Sequence, residues 1–580
     1  MAETIIMPKL GFNMSEGKLL KWYKNEGDNI KKGEPLFSIE TDKTSIDIEA
    51  TDDSVLRKIL VEEGETVPVT LPIAIVGDLG ENIDELLKEA LVQLGKESAI
   101  VPTAPKADEP LSHTAVVEQP AKASGRDFDI IVIGGGPGGY VAAIKGAQLR
   151  KKVAIVEKDS FGGVCINKGC IPTKVLLRSA ESLDEVKKSS NFGVINVDTS
   201  NAKLDLKLVQ KRKTSVISQL VGGINGLMAK NNVTVIKGEG SIKDKNTVIV
   251  DGKPYSTDYI VIATGSEVKS LPIPIDSGMN ILTSDDALNL EEIPKDIAII
   301  GGGVIGIEFA YFFASIGSKV TVIEFLDRIL PMVDEEITDQ VTAMLKDMKV
   351  DIYTSAKVTE VTKDGVKFEK DNRQQSISVS NVLMAVGRVP DYKGIDCESL
   401  NIKTDRGAIV TDLTLKTSVD NIYAIGDVNG KYMLAHTASA EGIIAIENIC
   451  GLIRTMDYDK IPSAVYIQPE IACVGLTEAQ AREKYGNIKV GRFPILANGK
   501  AKVAGNENGL IKVILEPRYN EILGVHLFCI HATDMIAEAV AAMNLEASAE
   551  EITWSVHPHP TVSEVFHEAF HAALDKAIHF

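Results

Sequence analysis

The chain has 580 residues, a formal net charge of −19 and an apolar fraction of 44%. The length predicts several domains with separate cores, and the acidic balance without a long basic stripe argues against a nucleic-acid partner. No run of about 18 uncharged apolar residues and no secretory signal is visible, so we expect a soluble, cytoplasmic protein with no membrane partner. Six cysteines are too few for a disulfide scaffold, so a closely spaced pair favours catalysis or metal binding.

The first 76 residues contain an internal repeat. The turn at residues 26–28 (Glu-Gly-Asp) recurs at 63–65 (Glu-Gly-Glu), and short strand-like runs flank both copies. This pattern predicts two similar half-sheets that pack face to face. Lys43 lies in the polar turn between the halves, so we expect its amine at an exposed hairpin tip that a modifying enzyme can reach. An isolated lysine on such a turn is usually an ordinary surface residue, so Lys43 by itself does not identify a modification site.

A linker is predicted between this domain and the rest of the chain. Residues 83–87 could form a short amphipathic helix, and residues 101–125 are rich in Ala, Pro, Ser and charge. Such a composition predicts a flexible tether, whose root-mean-square span for about 25 residues is roughly 25–30 Å. The first domain could therefore swing across a domain-sized distance.

A dinucleotide fingerprint follows the linker. Gly134, Gly136 and Gly139 come directly after a predicted buried strand at 128–133, and Glu157 ends the next predicted strand. In a βαβ unit the first glycine makes the tight turn, the second lets the backbone approach a pyrophosphate, and the third allows close helix packing. The acidic residue is placed to accept a hydrogen bond from a ribose hydroxyl.

A second fingerprint repeats this spacing. Gly301, Gly303 and Gly306 follow another predicted strand, and Glu324 ends the strand after it. Two bound dinucleotides are therefore expected. A carboxylate at Glu324 would accept from the 2'-hydroxyl of NAD and repel the 2'-phosphate of NADP, although Arg328 lies nearby. We expect NAD at this site.

Cys165 and Cys170 lie downstream of the first fingerprint, which should therefore hold the redox group that exchanges electrons with sulfur, namely FAD. No second Cys or His pair with suitable spacing accompanies them, so we expect no metal. Two unreactive buried cysteines are the plain alternative. Thiol exchange also needs a base, because the thiolate is the attacking species.

Two parts of this chain each resemble a known protein family. The stretch at 162–174 (Gly-Gly-Val-Cys-Ile-Asn-Lys-Gly-Cys-Ile-Pro-Thr-Lys) resembles the redox-active disulfide of the pyridine nucleotide-disulfide oxidoreductases, specifically the dihydrolipoamide dehydrogenases, and the match extends over about residues 127–580. Residues 1–76, with the tip Glu-Thr-Asp-Lys-Thr, resemble lipoyl domains. This second resemblance implies a covalent lipoyl group on Lys43. Biotin carriers share the fold but usually place their lysine between methionines.

The first resemblance implies roles for the residues around the thiols. Cys165 would exchange with substrate and Cys170 would face the flavin. Lys174 would lie near the flavin, paired with Glu308. The remaining assignments carried over from the family are His559 as base, Glu564 as the carboxylate that orients it, His557 in a supporting role, Thr264, Gly265, Asp427 and Ala435 as FAD contacts, and Gly387 as an NAD contact.

The resemblance also implies a homodimer, since this base would act on the partner subunit's disulfide. We expect an α/β protein with two Rossmann-like dinucleotide-binding domains and an α+β dimerisation domain, preceded by an all-β lipoyl domain. The predicted segments are a lipoyl domain at 1–76, a short helix and linker at 77–126, an FAD-binding domain at 127–274, an NAD-binding domain at 275–395, a central domain completing the FAD site at 396–463, and a dimerisation domain at 464–580.

The predicted activity is oxidation of protein-bound dihydrolipoyl groups with reduction of NAD, through the Cys165–Cys170 disulfide and FAD. Lipoyl-bearing acyltransferase subunits of a 2-oxo acid or acetoin dehydrogenase type of complex are the expected partners. A reductase for another disulfide or for mercuric ion, and a non-catalytic carrier or scaffold, are the alternatives. The chain lacks the extra C-terminal cysteine pair often used by the former.

Overall fold

The computed structural model describes residues 3–8, 16–40, 45–69, 71–77, 81, 83, 86–87, 90–91, 94 and 125–579. The chain divides into two compact units, Met1–Val116 and Val117–Phe580. The predicted lysine tip at Lys43 and the tether at 101–124 lie outside the described residues. Within the described part, no helix is both long and apolar enough to cross a bilayer.

The first unit contains two antiparallel sheets around a shared core that includes Leu19, Phe37 and Leu56. One sheet has the order β1-β8-β6-β3 and the other β5-β4-β2-β7, so each copy of the sequence repeat lends strands to both sheets. The strands are β1 (Glu3–Ile6), β2 (Glu16–Trp22), β3 (Asn29–Ile30), β4 (Pro35–Glu40), β5 (Ser45–Glu49), β6 (Ser54–Ile59), β7 (Thr66–Pro68) and β8 (Pro72–Gly77).

Apolar side chains beyond β8 belong to the same unit. Leu60, Ile75 and Ala90 form a small buried cluster, and leucines at 86, 87 and 91 pack against it. Burial of this apolar surface favours packing of Leu86, Leu87, Ala90 and Leu91 against Leu60 and Ile75.

The second unit begins with a parallel sheet in the order β11-β10-β9-β14, extended by an antiparallel hairpin. Ile130 and Val132 face one apolar cluster while Ile131 and Ile133 face another, so the central strand is buried on both sides. The elements are β9 (Phe128–Ile133), α1 (Pro137–Gln148), β10 (Val153–Glu157), α2 (Gly163–Lys168), α3 (Cys170–Lys188), α4 (Leu206–Lys230), β11 (Thr234–Lys237), β12 (Gly240–Asp244), β13 (Thr247–Val250) and β14 (Lys253–Ile262).

A second parallel sheet repeats the arrangement in the order β16-β23-β17-β18-β19, beside a three-stranded antiparallel sheet β20-β21-β22. Its elements are β15 (Ser266–Val268), β16 (Asn280–Leu282), α5 (Ser284–Ala287), β17 (Asp296–Ile300), α6 (Val304–Ser315), β18 (Lys319–Ile323), α7 (Glu335–Asp347), β19 (Asp351–Tyr353), β20 (Ala356–Thr362), β21 (Gly365–Lys370), β22 (Arg373–Ser378) and β23 (Asn381–Met384).

The chain then returns to the first sheet, where Ile422 of β27 pairs in parallel with Ile260 of β14. Gly442 brings α8 onto α1, since a Cβ at this position would lie 2.6 Å from the Gly138 carbonyl oxygen. The elements are β24 (Arg388–Pro390), β25 (Thr404–Asp405), β26 (Ala408–Ile409), β27 (Ile422–Ala424), a 3₁₀ turn (Gly426–Asn429) and α8 (Ala435–Ile449).

The last segment forms an antiparallel sheet in the order β28-β29-β32-β31-β30, with helices packed against it. The elements are β28 (Ser463–Val465), β29 (Glu470–Gly475), α9 (Glu478–Tyr485), β30 (Lys489–Pro494), α10 (Gly499–Ala504), β31 (Leu510–Leu515), β32 (Ile522–Cys529), α11 (Ala532–Asn544), α12 (Ala549–Trp554) and α13 (Glu564–Ala573).

A buried ionic cluster joins this sheet to α7. The Lys512 ammonium lies 2.7 Å from Asp334, 2.7 Å from Glu478 and 3.1 Å from Glu336. Arg492 bonds to the two glutamates of the same cluster. Separating Lys512 from Asp334, the two buried members, would leave each buried without its partner, so this cluster holds the second parallel sheet and the C-terminal sheet together.

Candidate active site

A cavity of about 2370 Å³ runs between the two parallel sheets and the C-terminal sheet. Most of the residues singled out in the sequence of the second unit line it. They are Gly134, Gly136, Glu157, Cys165, Cys170, Lys174, Thr264, Gly265, Gly301, Gly303, Glu308, Glu324, Gly387, Asp427 and Ala435. The fold therefore brings both fingerprints and the thiol pair to one continuous space.

The first glycine loop lies between β9 and α1. A Cβ at Gly134 would lie 2.1 Å from the Ala263 carbonyl oxygen, and one at Gly139 would lie 1.8 Å from the Gly134 carbonyl oxygen. Protein packing thus accounts for these two glycines. Among the described residues, the atom nearest to a Cβ at Gly136 lies 3.9 Å away, so none of their contacts requires glycine there. The open space lies at the N-terminus of α1, where phosphate oxygens are favoured.

The second glycine loop lies between β17 and α6, and its three glycines have the same surroundings as those of the first loop. A Cβ at Gly301 would lie 2.4 Å from the Ala385 carbonyl oxygen, and one at Gly306 would lie 2.0 Å from the Gly301 carbonyl oxygen. Around Gly303, no atom of the residues that the structure describes lies within 4 Å of an added Cβ. Room for a second dinucleotide is therefore left at the matching position.

Each loop is accompanied by its predicted acid. Glu157 accepts hydrogen bonds from the amides of Gly135 at 2.7 Å and Asp159 at 2.6 Å. Glu324 accepts from two backbone amides in the same way, at 2.5 and 2.7 Å. Since a carboxylate offers about four acceptor sites, each acid can still accept from a ribose hydroxyl.

The two thiols lie at the junction of two helices, with Cys165 inside α2 and Cys170 opening α3. A hydrogen bond from Cys165 has the largest effect on the pKa of Cys170 and lowers it to about 7; burial opposes the shift, and the charge of Lys174 adds to it. The same hydrogen bond raises the pKa of Cys165. In the reduced pair, these shifts favour the thiolate at Cys170 over the thiolate at Cys165.

Lys174 and Glu308 form an ion pair between α3 and α6. The Lys174 ammonium donates to both carboxylate oxygens at 2.9 Å. Glu308 is only 4% exposed and also accepts from the Tyr466 amide at 2.9 Å. The Tyr466 ring centroid is 4.2 Å from the same ammonium. Sequence reasoning missed Tyr466, which has no local motif and is far from both partners along the chain.

Asp427 lies in the 3₁₀ turn after β27. Burial raises the pKa of its carboxyl, while a 2.5 Å hydrogen bond from the Ser266 hydroxyl and the charge of Arg388 oppose the shift. Nearby, the buried Thr264 hydroxyl oxygen has no hydrogen-bond partner within the described part of the chain. A polar ligand atom there would satisfy it, because buried polar groups are nearly always paired. Gly265, with φ +80°, has no atom within 4 Å of a Cβ position and keeps that space open.

Two further predicted contacts border the cavity. Ala435 is the first residue of α8, whose N-terminus has no side-chain cap, so its first amides face the cavity without a capping oxygen. Gly387 has φ +102° and no atom within 4 Å of a Cβ position.

Sequence reasoning also missed Glu441 on α8. Its carboxylate, fully buried, accepts from the Gly426 amide at 2.5 Å, the Asn429 side chain at 3.0 Å and the Tyr458 hydroxyl at 2.6 Å. These bonds hold both ends of the turn that carries Asp427. Gly426 and Asn429 precede Glu441 by 15 and 12 residues, which corresponds to no recognisable sequence motif. Only the folded structure therefore shows that Glu441 supports this turn.

The two C-terminal histidines differ in their surroundings. His559 Nδ1 lies 2.8 Å from Glu564, which also accepts from the Thr561 amide, and the His559 side chain is 80% exposed. Burial opposes ionisation of Glu564, but these bonds outweigh it and lower the pKa of its carboxyl. His557 is buried instead; its bond to Glu538 at 2.9 Å raises the pKa of its imidazole.

His559 and Glu564 are not among the described residues that line the cavity of their own chain. The predicted His559–Glu564 pair is therefore hydrogen-bonded as expected, but it lies apart from the cavity that contains this thiol pair. With two dinucleotide cradles meeting at a thiolate–thiol pair, the fold and the cavity define a dithiol oxidoreductase.

Comparison with known proteins agrees with this class. The family model described as "Pyridine nucleotide-disulphide oxidoreductase" matches residues 128–442, and the model of its dimerisation domain matches 461–570. The chain therefore belongs to the pyridine nucleotide-disulphide oxidoreductase family. A third model, described as "Biotin-requiring enzyme", is the biotin/lipoyl domain and matches residues 3–76.

Relatives cover most of the chain. The dihydrolipoyl dehydrogenase of Bacillus subtilis is 43% identical over 474 residues, covering 78% of this chain and 99% of that protein. The mitochondrial dihydrolipoyl dehydrogenase of Pisum sativum is 41% identical, covering 81% and 96%. The HOCl-induced flavoprotein disulfide reductase RclA of Escherichia coli, a solved structure, has a TM-score of 0.68 at 30% identity, covering 76% and 99%.

These findings confirm several predictions from the sequence. They confirm the family, the fold class, an oxidoreductase of this class, FAD and NAD as cofactors, and a carrier domain that supports a covalent lipoyl group on lysine. The open glycine cradles and the unpaired Thr264 hydroxyl fit such dinucleotides.

Replacing Gly303 by Ala should weaken NAD binding without weakening the fold. The methyl group would enter open space in which a pyrophosphate must approach the backbone, so we expect the KM for NAD to rise about tenfold, equivalent to about 1.4 kcal/mol. Gly301→Ala is the matched control, because its methyl group meets a carbonyl and should lower stability by about 1–3 kcal/mol. Steady-state kinetics and thermal unfolding of both variants test this; an unchanged KM in Gly303→Ala would contradict it.

Proposed function

We propose that this chain is an NAD-dependent dihydrolipoyl dehydrogenase that carries its own lipoyl group. The observation that carries the proposal is the placement of the Cys165–Cys170 pair, together with Lys174, in one cavity that reaches both glycine cradles. Relatives in Bacillus subtilis and Pisum sativum that bear this enzyme's name support it.

The residues around the cavity would hold the two cofactors. Gly136 and Glu157 would contact the pyrophosphate and a ribose of FAD, and Asp427 would bind its ribityl chain. Gly303 and Glu324 would do the same for the pyrophosphate and ribose of NAD, whose 2'-hydroxyl suits a carboxylate. When bound, FAD accepts an electron pair from the reduced thiols and NAD receives it as hydride.

The proton of the substrate would pass to His559. Because Nδ1 of this imidazole bonds to the Glu564 carboxylate, Nδ1 carries the hydrogen and Nε2 keeps its lone pair. Nε2 is then the base, and Glu564 stabilises the imidazolium that forms. The substrate dithiol loses its first proton to this nitrogen and becomes a thiolate.

That thiolate would attack Cys165 in the oxidised pair. A bond forms between the substrate sulfur and the Cys165 sulfur, the Cys165–Cys170 bond breaks, and Cys170 leaves as a thiolate. While Cys165 is bonded to the substrate it has no S–H to donate to Cys170, so the charge of Lys174 would stabilise this leaving thiolate.

The second substrate sulfur would then close the product ring. It attacks the first substrate sulfur, releases Cys165 and transfers its proton to Cys165, whose raised pKa favours the thiol. The products are a lipoyl disulfide, a Cys165 thiol, a Cys170 thiolate and a protonated His559.

The base and the thiols would come from different subunits of a homodimer. A dimerisation domain spans residues 461–570, and this segment contains His559 and Glu564. The high exposure of His559 leaves it available to a second subunit. The lipoyl-bearing acyltransferase subunits of a 2-oxo acid or acetoin dehydrogenase type of complex are the proposed protein partners.

Cys165→Ser should abolish the oxidation of dihydrolipoamide with NAD, because serine cannot form the mixed disulfide. The wild-type enzyme should turn over dihydrolipoamide with NAD and much more slowly with NADP. Cys450→Ser, outside the cavity lining, is the control and should retain activity. Steady-state rates of NADH formation decide the question; full turnover by Cys165→Ser would refute the proposed function.

His559→Gln should slow dihydrolipoamide oxidation by about 10²- to 10⁴-fold, the usual contribution of a general base. His557→Gln should have a much smaller effect, since that imidazole is tied to Glu538. Rapid-mixing measurement of thiol-pair reduction separates this step from later ones. Equal losses in both variants would argue against His559 as the base.

Lys43 should carry the lipoyl group. Intact-protein mass spectrometry should show a lipoyl adduct in the wild type and none in Lys43→Arg, whose turnover of free dihydrolipoamide should be unchanged. Biotin in place of lipoate, or an adduct that persists in Lys43→Arg, would overturn this assignment.

A further inference from the structure

The Lys174 ammonium is held from two sides. On one side both Glu308 oxygens accept from it at 2.9 Å, and on the other the Tyr466 ring centroid lies 4.2 Å away. The Lys174 side chain remains 29% exposed, and it lines the cavity together with Cys170. The unoccupied side of the Lys174 ammonium therefore faces the cavity that contains the thiol pair.

Tyr466 is attached to this pair through its backbone as well as its ring. It follows β28 directly, and its amide donates to Glu308 at 2.9 Å. Burial, followed by the charges of Glu470, Glu308 and Cys170, raises the pKa of its phenol, so the ring is neutral in the working range of pH. A neutral aromatic face attracts a cation through its quadrupole.

We propose that Tyr466 is a positioning residue for Lys174. Its ring holds the ammonium against the cavity, where the charge stabilises the Cys170 thiolate and the negative charge that FAD gains on reduction. This inference rests on the proposed function, which assigns Lys174 to the flavin site, and adds a residue from the C-terminal sheet to it.

A purely space-filling role predicts different behaviour. If Tyr466 only filled volume, a bulky aliphatic side chain would serve as well as an aromatic one. If its ring attracts the Lys174 charge, Phe should replace Tyr without effect, whereas Leu should not. The amide bond to Glu308 is a backbone contact that all these variants keep.

The experiment compares Tyr466→Phe with Tyr466→Leu in the FAD-loaded enzyme, using two readouts other than activity. Anaerobic redox titration gives the equilibrium between oxidised and reduced flavin, and alkylation by iodoacetamide at varied pH, mapped by mass spectrometry, gives the pKa of Cys170. Tyr466→Leu should shift the flavin equilibrium towards the oxidised form by roughly three- to tenfold. A tenfold shift is about 30 mV for a two-electron couple.

The alkylation profile of Cys170 in Tyr466→Leu should move to higher pH, because a less firmly held ammonium stabilises the thiolate less. Tyr466→Phe should match the wild type in both measurements. If Tyr466→Leu loses FAD, Tyr466→Met supplies a second non-aromatic variant. Wild-type values in the non-aromatic variant, or equal shifts in Phe and Leu, would overturn the proposal.

A double variant shows whether the ring acts through Lys174. In a Lys174→Met background, Tyr466→Leu should cause no further change in either readout. A shift that persists in the Lys174→Met background would overturn the positioning role of Tyr466, but it would not affect the assignment of Lys174 to the flavin site. If Lys174→Met itself changes neither readout, both the assignment of Lys174 and the inference built on it fail, whereas Cys165→Ser still tests the reaction separately.

Discussion

The site depends on keeping one sulfur anionic in a cavity walled largely by protein. A thiolate inside low-dielectric surroundings is costly unless donors and a cation stabilise it. Here the Cys165 thiol and the Lys174 charge lower the pKa of Cys170, and Glu308 keeps that lysine in place. Since Cys170 and Lys174 share α3 while Glu308 lies on α6, the packing of α6 against α3 fixes the position of the Lys174 charge in the cavity that contains the thiol pair.

The same solution to nucleotide binding occurs twice in the second unit. In both loops the outer glycines are required by contacts under 2.5 Å to a carbonyl oxygen, while the middle glycine faces open space. Within each motif, the outer glycines therefore serve the packing of the protein and the middle glycine leaves room for a nucleotide. The buried cluster around Lys512 then fixes the second cradle to the C-terminal sheet, so that the cavity between them keeps its shape.

The C-terminal sheet contributes to chemistry in two ways. It carries Tyr466 to the Lys174–Glu308 pair of its own chain, and it precedes the exposed His559–Glu564 pair. An oriented imidazole that does not line its own cavity suits a site shared between subunits. Dimerisation would then complete the site as well as bury surface, which gives a chemical reason for a domain of this kind at the end of the chain.

The sequence alone determined the parts whose chemistry is local. Fingerprint glycines, the acids that end the following strands, and the Cys165–Cys170 spacing are recognisable because each operates within one turn or one βαβ unit. The lysine at 43 is likewise marked by its flanking residues. Only the tertiary structure decided that Tyr466 and Glu441 support the site. Those results depend on contacts between elements that are separated along the chain, and on burial, neither of which a local pattern encodes.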